Sequence, residues 1–144
     1  MYFEFQKDII LNENPIFKEA NLCFFNYVSL DLVDDTTINK IIFGLYPEKK
    51  EMLFSNKINN NFNKGNILPY RKNNYNNTII TAPYKDNFDE PINLDYLEEV
   101  IHKFNDNKNK FKFDKVIFFK VQVEKDILEK IINNIKNFPK YEII

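Results

Sequence analysis

At 144 residues with a formal net charge of −1, the chain is the length of one domain and carries no general bias toward nucleic acid, an anionic membrane or an acidic partner. Hydrophobic residues at 44 % and aromatics at 16 % exclude wholesale disorder, and a domain of this size folds without disulfide or metal. The two glycines, Gly44 and Gly65, stand in no G-x-G or Walker pattern, which excludes phosphate-cradling loops of those types.

Arg71 is the one arginine beside many lysines, and Asn, Lys, Ile and Phe are heavily used. Their codons are A/T-rich, so the bias points to an AT-rich genome and discounts Asn and Lys runs as signals. Cys23 is the lone cysteine. It forms no internal disulfide, which suits a reducing intracellular compartment, cytosolic or organellar. Its neighbours Leu22, Phe24 and Phe25 make it a small buried residue rather than a nucleophile. No apolar run reaches membrane-spanning length, and Glu4 and Asp8 near the start argue against a secretory signal, so a secreted protein is not expected.

In chain order, residues 1–22 read as an N-terminal extension and residues 23–144 as the domain. The extension holds Phe3, Phe5, Ile9, Ile10, Ile16 and Phe17, an apolar content that asks for a surface to pack on. Phe24 to Pro47 reads as a β-hairpin: Val28, Leu30 and Leu32 alternate, Asp34–Thr37 turns, and Ile41, Phe43 and Leu45 return to Pro47. A short helix is expected over Lys49–Ser55, then an Asn/Lys loop, then strands at Leu68–Lys72 and Tyr75–Thr81. From Met52 to Lys85 there is no acidic residue, while lysines, Arg71 and five aromatics interleave. That is the pattern of a single-strand nucleic-acid groove. One arginine is a poor supply of phosphate forks, so a solvated loop is the preferred reading and nucleic acid is not an expected partner.

Leu94, Leu97, Val100, Ile101 and Phe104 share one helical face, with Asn93 or Asp95 as its cap. Phe111–Phe113 and Val116–Val123 read as strands, the second apolar on both faces and therefore central. Ile127, Leu128, Ile131, Ile132 and Ile135 form a second amphipathic helix, and Tyr141–Ile144 a closing strand. Many strands with few helices predict a mainly β architecture.

The ordered combination of Val28-Ser-Leu-Asp-Leu32, Lys40-Ile-Ile-Phe-Gly-Leu-Tyr-Pro47, Leu68-Pro-Tyr-Arg-Lys72, Lys115-Val-Ile-Phe-Phe-Lys-Val121, the helix at Asp126–Ile131 and Pro139–Ile144 resembles the cyclophilin-type peptidyl-prolyl isomerases. The resemblance spans 24–144. It implies an antiparallel β-barrel of about eight strands capped by two or three helices. Asn39-Lys40 and Gly44 depart from the Gly-Arg and Glu of that family.

The family's catalytic arginine would fall at Asn77, which has no charge to stabilise the rotating prolyl amide. The Gly-Gly-Asp-Phe and Asn-Gly-Ser-Gln-Phe-Phe runs are missing. The resemblance therefore implies a pseudoenzyme, with Arg71, Tyr75 and Asn77 lining a degenerate peptide groove that accepts a proline-containing peptide. Phe3, Phe5, Ile9 and His102 are the candidate partner surface of a structural or interaction subunit in a larger complex. No catalytic residue, metal or cofactor is expected, since one His and one Cys far apart make no metal site. Two alternatives stay open. One is an active divergent isomerase with Arg71 as its cation. The other is a small α/β nucleotide- or nucleic-acid-binding domain, reading Thr78–Ala82, the Asp95 helix, Val116–Val121 and the Ile127 helix as β-α-β-α.

Overall fold

The computed structural model describes residues 21–33, 36–71 and 77–144. Its first strand, Leu22–Val28 (β1), has every residue buried, and its sequence Leu-Cys-Phe-Phe-Asn-Tyr-Val is apolar apart from Asn26. A strand covered on both faces has this composition. β1 is central. It pairs in parallel with Thr78–Pro83 (β3) on one side and with Lys115–Phe118 (β4) on the other. Leu68–Tyr70 (β2) pairs antiparallel with β3, and Tyr141–Ile143 (β5) pairs parallel with β4. The five-stranded order is β2-β3-β1-β4-β5.

Parallel neighbours need crossover connections, and four α-helices supply them among the described residues. Thr37–Leu45 (α1) and Pro47–Ile58 (α2) follow β1. Leu94–Asn107 (α3) joins β3 to β4, and Lys125–Ile132 (α4) joins β4 to β5. Alternate residues of β1 face opposite layers. Leu22 and Phe24 pack with Ile38, Ile41 and Ile42 of α1, and Val28 packs with Leu53 of α2. Cys23, Phe25 and Tyr27 pack with Leu97, Val100, Ile101 and Phe104 of α3 and with Leu128 of α4. Phe104 anchors this layer, edge-on to Phe25 at 5.5 Å between ring centres.

This three-layer α/β/α sandwich replaces the expected mainly β barrel of about eight strands. Two local misreadings produced that expectation. The first is the hairpin. β1 lies at Leu22–Val28, not at Val28–Leu32, and the chain turns away after Ser29: Leu32 N–H donates to the Ser29 carbonyl, with Leu32 at φ 60°. The second is Lys40–Pro47, expected as a strand and found in α1 as far as Leu45, with Pro47 opening α2. Ile41, Phe43 and Leu45 alternate, but Ile38, Ile41 and Ile42 also keep helical spacing. The helix buries all three against the sheet, and tertiary packing decides between the two periods.

Phe111–Phe113 forms no strand; both rings pack on Phe104 from the loop. The helices expected at Lys49–Ser55, Leu94–Phe104 and Ile127–Ile135 are present, the last ending at Ile132, as are strands near Leu68, Thr78, Val116 and Tyr141. Asn93 is the cap of α3, its Oδ1 accepting from the Asp95 and Tyr96 amides. The thiol of Cys23 is buried, which pushes its pKa up and leaves it a packed, inert group. No helix among the described residues is long and apolar enough to cross a membrane.

Candidate functional site at the carboxyl edge of the sheet

Strands β3, β1, β4 and β5 run in the same direction, so their carboxyl ends share one edge. The chain leaves β1 toward the α1/α2 layer and leaves both of its neighbours, β3 and β4, toward the α3/α4 layer. The connections thus diverge on either side of β1. Such divergence opens a crevice beyond the carboxyl ends of the strands, the usual ligand position in open α/β sheets.

Polar groups concentrate there. β4 pairs with β1 as far as Phe25, so the Tyr27 backbone has lost its strand partner on that side. Gln122, from the loop after β4, takes its place. Its Oε1 accepts from the Tyr27 amide at 3.0 Å, and its Nε2 donates to the Tyr27 carbonyl at 3.0 Å and to Asn26 Oδ1 at 2.9 Å. From the opposite layer Asn39 of α1 accepts from Asn26 Nδ2 at 2.9 Å and donates to the Tyr27 carbonyl at 3.1 Å and to Thr36 Oγ1 at 3.0 Å. All three amide side chains are buried. Thr81, the register partner of Asn26 on β3, has a buried hydroxyl with no hydrogen-bond partner among the described residues, and so has Tyr27.

On the β3 side the loops zip together. Leu30 and Asp31 amides donate to the carbonyls of Lys85 and Asp86, both at 2.9 Å. Asp31 then accepts from the Ser29 hydroxyl at 2.6 Å and from the amides of Val33 and Phe88, each at 3.1 Å. Desolvation acts to raise the Asp31 carboxyl, but these hydrogen bonds outweigh it and hold the pKa below the ordinary carboxylate value. Lys85 extends past the end of β3 with its Nζ 4.9 Å from the Tyr84 ring and 5.0 Å from the Phe88 ring. Tyr96 donates to Asp86 at 2.6 Å, a bond that, with burial behind it, pushes the phenol up to about 12. Asp31→Ala should release the 29–33 loop from β3. The expected result is faster amide exchange at Leu30, Asp31, Val33 and Phe88 with a stability loss of about 1 kcal/mol; unchanged protection there would refute this role.

The residues singled out in the sequence lie elsewhere. Asn77 is buried at the amino end of the sheet, where its Oδ1 accepts from the Leu22 amide at 3.0 Å. Arg71 is exposed and lines a separate depression with Tyr70, Lys110 and Phe111. Both are a strand length from the carboxyl edge. His102 is exposed on α3. Phe3, Phe5, Ile9, the rest of residues 1–20 of the 1–22 extension and Tyr75 lie outside the described residues. Sequence reasoning passed over Asn26, Asn39, Gln122 and Lys85. Asn26 carried a usable signal, an amide in the middle of the buried run Leu22–Val28. Gln122 and Asn39 carried none, because their roles depend on layers joined across the fold.

No protein-family model and no curated protein matches this sequence. Solved structures do. The macrodomain of Mycobacterium tuberculosis DarG superposes with a TM-score of 0.74 at 14 % identity, covering 88 % of this chain and 89 % of that one. The macrodomain of Thermus aquaticus DarG gives a TM-score of 0.68 at 12 % identity, covering 88 % and 91 %. Thermosipho africanus DarTG in complex with ADP-ribose gives 0.67 at 8 % identity, covering 84 % of this chain and 37 % of that one. These neighbours overturn the cyclophilin resemblance and, with it, the pseudo-isomerase subunit and the active isomerase. They do not match the small nucleotide- or nucleic-acid-binding domain either. The chain has the macrodomain fold.

Proposed function

We propose that this chain binds ADP-ribose at the carboxyl edge, in the crevice flanking β1. The observation that carries the reading is the set of buried polar groups at that edge, Asn26, Thr81, Tyr27 and Gln122, standing at the point where the strand connections diverge. Support also comes from the Thermosipho africanus DarTG neighbour, which was solved in complex with ADP-ribose and of which this chain covers 37 %. A sugar with several hydroxyls suits clustered amides and hydroxyls, which both donate and accept.

The diphosphate sets a harder requirement. The loops at 29–36, 84–93 and 119–124 contain no glycine, so close backbone approach to phosphate is restricted. Charge must come from side chains instead, and Lys85 and Lys120 are the cations in these loops. A protein partner, expected from the sequence, belongs to the same proposal. Ile58 and Leu94 are large apolar side chains left 80 % and 56 % exposed.

Isothermal titration of the folded chain with ADP-ribose tests the reading. One saturable site is expected, with ribose alone binding far more weakly. Lys85→Ala should weaken ADP-ribose by about tenfold, as loss of a charge-assisted contact does. Absence of binding at millimolar ADP-ribose, with the fold intact, would rule the proposal out.

A further inference from the structure

A second site lies beside the carboxyl crevice, in the outer layer between α1 and α2 and against the end of β1 and its following loop. A cavity of about 440 Å³ opens there, walled by Val28, Leu32, Phe43, Leu53 and Phe54. This is the size range of small-molecule sites. Lys40 and Lys50, one from each helix, stand in its wall and are exposed. Behind Phe43 lies Lys49. Its side chain is fully buried, and its Nζ, 5.0 Å from the centre of the Phe43 ring, has no hydrogen-bond partner among the described residues.

A buried ammonium or amine without a partner is costly, and native proteins rarely keep one without use. Two lysines, Lys40 and Lys50, stand in the wall of an apolar space, with the buried Lys49 behind Phe43 rather than in the wall. Leu53 and Phe43 alone would suit any oily ligand; the lysines select among them.

We propose that the α1/α2 cavity binds a small amphipathic carboxylate, its apolar body against Phe43, Leu53 and Phe54 and its carboxylate on Lys40 and Lys50. Both walls fit the ligand: the apolar side chains cover the body, and the cationic ones offset the charge. The site shares the 32–33 loop with the proposed ADP-ribose crevice but differs in ligand chemistry, so separate titration of the two ligands distinguishes them.

Gly44 gives a direct test. It lines the cavity, and a Cβ added there meets nothing within 4 Å, so a side chain can start into the space without a backbone clash. Gly44→Leu should fill the space while leaving the core intact. Titration of the full chain with decanoate should show one saturable site. Decanol should bind at least about tenfold more weakly, since it offers no charge to the lysines. Lys40→Met with Lys50→Met should weaken decanoate by about tenfold and leave decanol unchanged. Gly44→Leu should abolish binding of both while ADP-ribose titrates as before. Equal binding of decanoate and decanol, decanoate binding that survives Gly44→Leu or is unaffected by the lysine variants, or no decanoate binding to the folded chain would each overturn the proposal.

Discussion

Lys49→Met should make the protein more stable, by about 3–5 kcal/mol at pH 7. Lys49 is wholly buried without a hydrogen-bond partner among the described residues, and burial brings its pKa from 10.5 down to about 7. That shift corresponds to about 4–5 kcal/mol. Folding must either bury the ammonium or give up its proton, and both cost free energy that methionine does not. For a domain of this size, a gain of this order raises Tm by about 10 °C.

The sign of the pH dependence follows from the same shift. Between about pH 7 and pH 10.5 the unfolded chain holds the lysine proton and the folded chain has lost it. The unfolded state then binds more protons, so stability rises with pH across this window and is lowest below pH 7. Cys23 and Tyr27 act in the opposite direction at alkaline pH, because burial raises both pKa values. Subtracting the Lys49→Met profile from the wild-type profile removes their contribution. Urea midpoints at pH 7, 8 and 9 should show the wild type gaining on the variant at each step. A parallel pair of profiles would mean that Lys49 finds a partner when protonated.

Gln122 is the second position where one side chain carries a large effect. It acts as a short piece of strand, continuing the β1 edge beyond the end of β4. Gln122→Leu keeps the volume but strands the Tyr27 amide and Asn26 Oδ1 in a buried site, at a cost of about 2–5 kcal/mol. Gln122→Glu is the sharper test. One carboxylate oxygen can still accept from the Tyr27 amide, but the other faces two acceptors, the Tyr27 carbonyl and Asn26 Oδ1. The charged form is therefore opposed and the carboxyl pKa should rise above its unfolded value. The loss should be full at pH 7 and shrink as pH falls and the carboxyl regains a proton to donate. If Gln122→Glu matches the wild type at pH 7, the amide is not bridging β1 as described. Both variants should also weaken ADP-ribose, since Asn26 and the Tyr27 backbone form the crevice wall.

The α3 and α4 faces and most strand positions could be read from local pattern. Leu97, Val100, Ile101 and Phe104 keep a 3.6-residue spacing, and Val116–Phe119 is apolar on both faces, so their environments were written into the chain. Where two periods overlap, as in Ile38–Leu45, the local pattern is ambiguous. The sheet resolves it by offering a face that Ile38, Ile41 and Ile42 can cover only as a helix. Strand direction was also hidden. An apolar strand reads the same in a parallel sheet and in a barrel, and the short stretch from β1 to Pro47 looked like a hairpin until α1 took it out of the sheet.

The candidate site was the least legible part, for a geometric reason. Asn26, Asn39, Thr81 and Gln122 come from four segments, up to 96 residues apart along the chain. No spacing rule links them, because their meeting is fixed by register, Asn26 beside Thr81, and by β4 ending short of Tyr27. Lys49 is similar: in sequence it is one more lysine of a polar helix, and its burial exists only once α1 lays Phe43 over it. The sequence by itself determined which segments are apolar, where the α3 and α4 faces lie, and that Cys23 is a core residue. The tertiary structure decided strand order, strand direction and which polar side chains meet, because those depend on layers packing across the whole chain rather than on neighbours along it.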